Sequence, residues 1–311
     1  MRSCTTSGLA NSPTNPRADP LVGVRWRELL ADDAEVLAAA GISSPHVDAR
    51  RIVEEASGRD GGSLLGVLDD EVAKRALAHH DDMVRRRAGG EPLQYVLGRW
   101  GFRSLDLAVD PRALIPRPET EQVVEVGLAE LDRLGVAART CRVVDLGTGS
   151  GAIALSIAVE RLRTEVWATD RSADALALAR ANLAGIGRPA TRVRMVEGDW
   201  FEALPDELRG AVDLVISNPP YVGDDDELPD EITAWEPAGA LRSGADGLDD
   251  VRRIMAGART WLVPGGALVV ELAPDQAPAA IELASLAGFV DVEVLADLSS
   301  RPRALRARSP G

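Results

Sequence analysis

The tetrapeptide Asn218-Pro219-Pro220-Tyr221 closes an apolar run, "VDLVIS", that reads as a buried strand. A proline pair fixes two φ angles near about −65° and carries no N–H, so it stops the strand and holds the Pro219 carbonyl rigidly at the sheet edge. Asn218 adds a side-chain carbonyl, oriented by whatever its own amide donates to. Two acceptors aimed at one –NH₂, with the aromatic face of Tyr221 beside them, make a clamp for a planar amino or amide nitrogen. Such a nitrogen is a weak nucleophile because its lone pair is delocalised. Accepting hydrogen bonds from both of its N–H groups favours charge build-up as it rehybridises towards an electrophilic carbon, and those bonds strengthen in the transition state. One such contact is worth about 2–4 kcal/mol.

A second constellation precedes it. "VVDLGTGSGAIALSIA" reads as strand, tight turn and helix, with Gly147, Gly149 and Gly151 allowing a ligand to approach the main chain. Asp170 ends the next strand, "EVWATD", where a carboxylate can accept from both hydroxyls of a ribose. The glycines follow G-x-G-x-G, not the dinucleotide G-x-G-x-x-G. Asp145, just before them, would repel a pyrophosphate and suits a cationic ammonium or sulfonium group. These features point to S-adenosylmethionine rather than a nicotinamide dinucleotide. In "VEGDWF", Asp199 is placed to bind an adenine amino group and Trp200 to cover its ring.

The census of the remaining residues limits the chemistry. From Asp110 onward the chain has no histidine, no lysine, one cysteine and one tyrosine. A histidine base, a Schiff-base lysine and a His/Cys metal site are therefore excluded there, and no metal is expected. Methyl transfer from a sulfonium fits, because the leaving group is already good and in-line placement supplies much of the rest. The formal charge of −14 is unlike that of a general nucleic-acid binder. The two cysteines form no disulfide framework, and no apolar run reaches the length of a membrane span, so a cytoplasmic protein is expected.

The elements that must position these residues follow from periodicity. Residues 1–22 read as a disordered tail, and 23–90 as a small helical bundle that recognises the substrate. Within it, helices run over 24–41, 44–58 and from about 69 to 88, the last with acids at its start and arginines at its end, as the macrodipole favours. Ser44 is the expected N-cap of the second. His79 and His80 are adjacent on a helix, diverge in direction, and read as part of a solvated face. Residues 91–118 form a linker, with a β-hairpin over 93–110 and a proline-rich stretch after it. Residues 119–311 alternate strand and helix. The fold class is α/β, a Rossmann-like, mainly parallel, doubly wound sheet with the helical domain joined by the hairpin.

The segments "GEPLQYVLGRWGF", "LIPRPETE", "VVDLGTGSGAIAL", "GDWF", "SNPPYV", "WEPAGALRSGADGLD" and "LVPGGALVVEL" occur in an order that resembles the release-factor glutamine methyltransferases. The resemblance covers roughly residues 24–300. It implies methylation of the side-chain amide nitrogen of the glutamine in the Gly-Gly-Gln motif of class 1 peptide-chain release factors 1 and 2, by a monomer without direct nucleic-acid contact, with release of S-adenosylhomocysteine. It assigns Gly147, Thr148, Gly149, Ser150 and Gly151 to the methionine part of the cofactor, Asp170 to the ribose and Trp200 to the adenine. Asn218, Pro219, Pro220 and Tyr221 hold the glutamine amide, with Asn218 also beside the cofactor. Ala273 and Pro274 stand where the family often has glycine, Trp235 replaces a more usual phenylalanine or tyrosine, and the closing "DLSSRPRALRARSPG" departs from the family's ending. The arginine of "IPRPET", Arg117, reads equally as ordering a loop over the cofactor or as part of a linker. The same clamp serves a ribosomal-protein glutamine methyltransferase and a DNA or RNA adenine methyltransferase, and a non-catalytic binder of the cofactor is a third alternative.

Overall fold

The computed structural model describes residues 20–311, so most of the expected tail lies outside the described residues. The chain divides into two compact units, one ending at Gly90 and one running from Glu91 to Gly311.

The first unit contains β1 (Leu21–Arg25), α1 (Trp26–Ala39), α2 (Pro45–Ser57), α3 (Gly61–Leu65), β2 (Glu71–Ala73) and α4 (Lys74–Ala88). Trp26, Val53, Leu64 and Val72 form its core. Pro45 opens α2, where a missing N–H costs nothing, and Gly58 ends it in the left-handed conformation. Ser44 precedes α2 without capping it through its side chain. The unit is not purely helical, because β1 pairs antiparallel with β2. The third helix is consequently shorter than the sequence suggests. It begins at Lys74 with no acid in its first turn, and Arg85, Arg86 and Arg87 sit in its last. His79 is exposed but His80 is buried, against the expectation of a solvated face. Its Nε2 lies 2.7 Å from Asp33 Oδ2 and its Nδ1 3.1 Å from Asp81 Oδ1, with Trp26 edge-on to the ring. Burial disfavours the charged ring, yet the two carboxylates outweigh it and raise its pKa.

The second unit opens with α5 (Leu93–Leu97), β3 (Arg99–Phe102) and β4 (Leu105–Ala108). The hairpin is thus shorter than the expected 93–110, and "LQYVL" preceding it is a helical turn ended by Gly98 in the left-handed region. Then come α6 (Pro118–Arg133), β5 (Cys141–Leu146), α7 (Ala152–Glu160), β6 (Thr164–Asp170), α8 (Ala173–Gly185) and β7 (Val193–Glu197). The chain continues through β8 (Val212–Ser217), α9 (Asp230–Trp235), α10 (Asp249–Trp261), β9 (Leu262–Glu271), α11 (Ala277–Leu286), β10 (Val290–Ala296) and β11 (Pro302–Arg308).

The seven-stranded sheet has the order β10-β11-β9-β8-β5-β6-β7. Strands β5 to β9 are mutually parallel, and β11 runs antiparallel between β9 and β10. Alternate strand residues point to opposite faces. Val143, Leu214, Ile216 and Val269 join one hydrophobic core, and Val144, Val215, Leu268 and Val270 join the other. Helix α6 approaches the sheet closely at Gly127, where an added Cβ would lie 2.9 Å from Ile216 Cδ1. From β5 the chain winds outward through β6 and β7, then returns to β8 on the other flank of β5. This reversal opens a crevice at the carboxyl ends of β5 and β8. The glycine loop and the Asn-Pro-Pro-Tyr segment emerge there.

Candidate active site

A cavity of about 300 Å³ occupies that crevice. Gly147, Thr148, Gly149 and Ser150 line it from the β5–α7 loop, and Asp170 and Trp200 from the ends of the next two strands. Asn218 and Pro220 line it from the end of β8. With Asp199, nine of the residues singled out from sequence are thereby brought to one wall system. Gly151, Pro219 and Tyr221 are not on the wall.

The glycine loop is built for close approach. Gly147 has φ +69°, and an added Cβ would stand 3.2 Å from Trp200 Cζ3. Gly151 serves the sharp turn, one of the two roles expected of the three glycines. It sits under the loop with φ +87°, where an added Cβ would press on Leu155 and Ala179, so it serves the turn into α7. Asp145 also lies beneath the loop and not against a ligand. It is wholly buried, accepts from Thr148 Oγ1 at 2.6 Å and Ala154 N at 3.1 Å, and burial pushes its pKa up to about 7. Its other oxygen, Oδ1, has no partner. Asp170 accepts from Gly149 N and Ser172 N, each at 2.9 Å, which fixes its carboxylate beside the loop.

Trp200 follows β7 with φ +50°, a strained conformation for a bulky residue. Its Nε1 donates to Asp250 Oδ1 at 3.2 Å, which orients the indole. Asp199 also reaches the cavity, but its carboxylate is already engaged by Arg253, which competes with the expected adenine contact.

The two ends of the Asn218 carboxamide are treated differently. Asn218 Nδ2 donates to Thr120 Oγ1 at 3.1 Å, while Asn218 Oδ1 is buried without a partner. Among the described residues, no hydrogen bond to the Pro219 carbonyl is formed. Tyr221 is fixed at both ends. Its hydroxyl donates across 3.5 Å to Glu271 Oε1, and its carbonyl accepts from Gln276 Nε2 at 2.8 Å. Burial raises the Tyr221 phenol to about 12, with the Glu271 charge adding to the effect, so it is neutral at ordinary pH.

The loop between β4 and α6 closes another side through Arg112 to Pro116. It is ordered, not a loose linker. Arg117 binds Glu236, Glu236 Oε2 accepts from Ile115 N at 3.2 Å, and Tyr95 Oη donates to Ala113 O at 2.7 Å. Sequence reasoning missed Thr120, Glu236, Glu271 and Gln276. Thr120 and Glu236 stood inside segments that carried the resemblance. Glu271 had its own signal, a carboxylate at the end of the apolar run "GALVVEL".

A buried carbonyl with no internal partner and a glycine cradle, facing one crevice beside a topological reversal, suit transfer of a group from a nucleoside-bearing donor to nitrogen. Residues 128–234 match the family model "Methyltransferase small domain", and residues 28–98 match "PrmC N-terminal domain". The chain is an S-adenosylmethionine-dependent methyltransferase. It is 43% identical over 285 residues to the release factor glutamine methyltransferase of Burkholderia pseudomallei, covering 90% of this chain and 97% of that protein. The corresponding protein of Xylella fastidiosa (strain 9a5c) is 43% identical over 277 residues, covering 89% and 98%. That of Deinococcus radiodurans is 40% identical over 289 residues, covering 93% and 100%. The chain belongs to the release factor glutamine methyltransferase family.

Proposed function

We propose that the protein methylates the side-chain amide nitrogen of the glutamine in the Gly-Gly-Gln motif of class 1 peptide-chain release factors 1 and 2. The observation that carries this reading is the unpartnered, buried Oδ1 of Asn218, whose amide end is tied back to Thr120. An acceptor held in this way suits a primary amide donor. The names of the relatives supply the protein partner.

Bound in the crevice, S-adenosylmethionine supplies a methyl group on positively charged sulfur and leaves as S-adenosylhomocysteine. Gly147 to Ser150 admit its methionine part close to the main chain, Asp170 takes the ribose hydroxyls, and Trp200 covers the adenine. Asn218 Oδ1 and the Pro219 carbonyl accept the two N–H groups of the glutamine amide, while Pro220 and Tyr221 bound its plane. The bond from methyl carbon to nitrogen forms as the bond to sulfur breaks, the electron pair going to sulfur. One amide proton then leaves to solvent. The clamp acts by charge stabilisation and alignment, so no strong base is needed.

The helical unit and the hairpin grip the release factor, and the enzyme works as a monomer in the cytoplasm without direct nucleic-acid contact. The charge of −14 supports the last point, and among the described residues no helix is long and apolar enough to cross a membrane. The test is incubation with labelled S-adenosylmethionine and three candidates: a release factor, its Gln→Ala variant and duplex DNA. Label on the first alone is expected. Label on the DNA or on the Gln→Ala protein would overturn the reading.

A further inference from the structure

A carboxamide has two ends of nearly equal size and opposite hydrogen-bonding character. The clamp works only if Asn218 presents oxygen to the cavity and nitrogen to the protein, so something must fix that choice. Thr120 Oγ1 is the partner of Asn218 Nδ2, and a hydroxyl can serve either as donor or as acceptor. Its single proton is committed elsewhere. Thr120 Oγ1 donates to Glu271 Oε2 at 2.7 Å. Only lone pairs then remain for Asn218, and only the –NH₂ end of the carboxamide can meet them.

Resting on the glutamine-methylation reading above, we propose that Glu271, acting through Thr120, is the positioning residue that sets which end of the Asn218 carboxamide faces the substrate. The arrangement is well buried. Glu271 is fully inaccessible and Thr120 is 4% exposed, so water does not compete for the chain of bonds. The same carboxylate reaches the other end of the clamp through Tyr221 Oη, so one group holds both flanks of the tetrapeptide.

The direction of the chain depends on Glu271 being ionised. Once protonated, Glu271 can donate to Thr120 Oγ1. The threonine proton is then free to point at Asn218, and a turned carboxamide would aim –NH₂ at an incoming –NH₂. Burial pushes the Glu271 carboxyl up to about 7. Thr120 and the Arg303 charge on β11 oppose this, Glu119 on α6 adds to it, and Tyr221 after β8 opposes it weakly. The switch therefore lies in the working pH range, with the active arrangement on the alkaline side.

The test compares kcat–pH profiles for glutamine methylation in the wild type, Glu271→Gln, Thr120→Val and Thr120→Ser, with cofactor affinity measured alongside. In the wild type, kcat is expected to rise with pH around a midpoint near 7. Glu271→Gln keeps the shape of the side chain and is expected to lose that rise, its kcat staying level from about pH 6 to about pH 8. Thr120→Val is expected to lower kcat by about tenfold or more with cofactor affinity held, and Thr120→Ser to restore it to within about threefold. An acid limb retained in Glu271→Gln, or equal kcat in Thr120→Val and wild type, overturns the inference while leaving the functional reading intact. Wild-type enzyme that methylates no glutamine overturns both.

Discussion

At the scale of single residues the function proposed above separates holding a donor from activating an acceptor. Gly147 belongs to the first task. Its φ of +69° strains any other residue, and the Trp200 ring 3.2 Å from where a Cβ would stand would have to shift for alanine. The strain of a non-glycine residue there is about 1–3 kcal/mol. Gly147→Ala is expected to weaken cofactor binding by about tenfold or more, read by calorimetric titration. Unchanged affinity would remove the loop from the cofactor site. Asn218 to Tyr221 were legible in sequence because a polar residue and two prolines at the end of an apolar strand are anomalous in themselves. Thr120 was not, and Glu271 showed only as a carboxylate ending an apolar run, because their contacts cross 98 and 151 residues of chain and no local pattern encodes such a meeting.

Elements carry these residues to one place. Asn182 on α8 shows how. Its Oδ1 accepts from Ala108 N at 2.7 Å, and its Nδ2 donates to Ala108 O at 3.0 Å and Ser150 O at 2.9 Å. One side chain thus staples the hairpin strand β4 to the glycine loop. Asn182→Ala would leave the buried Ser150 carbonyl unpaired at a cost of about 1–3 kcal/mol. A lower midpoint in urea unfolding is expected, together with weaker cofactor binding; a variant as stable as the wild type would show that solvent replaces the staple. The strands from 141 to 308 and the long helices between them were readable because apolar period and turn residues agree there, whereas the short α9 (Asp230–Trp235) was not read. The hairpin and α4 were read too long, since "LQYVL" and "EVA" are short segments whose state is decided by tertiary pairing rather than propensity. The antiparallel direction of β11 left no trace in its composition.

For the whole molecule, two buried carboxylates shifted in opposite directions from the ordinary glutamate value shape the pH dependence of stability. Burial alone would raise Glu130, but the Arg308 and Arg133 guanidiniums outweigh it and hold its pKa below the ordinary 4.5. Its contribution is therefore present above about pH 4.5 and lost as pH falls through the lower folded value. Glu271 has the reverse sign. Its folded pKa of about 7 exceeds the ordinary 4.5, so the folded state loses stability as pH rises between the two. Thermal unfolding of Glu271→Gln is expected to gain on the wild type from about pH 4.5 to about pH 7, and that of Glu130→Gln to fall behind it above about pH 4.5. Parallel curves for Glu271→Gln and wild type would mean that Glu271 titrates normally. The doubly wound class was legible from the strand and glycine pattern. The pairing of Glu130 with Arg308 on β11 was not, since it joins segments 178 residues apart.

The most direct measurement sets two constants of Asn218→Ala beside those of the wild type: the dissociation constant for S-adenosylmethionine, and the single-turnover rate of methyl transfer to a release factor. A fall in rate of about 10²–10³-fold with the cofactor constant unchanged within about threefold is expected, the scale of losing one preorganised charge-stabilising group. A rate near that of the wild type, or a loss confined to cofactor affinity, would show that this side chain does not activate the amide.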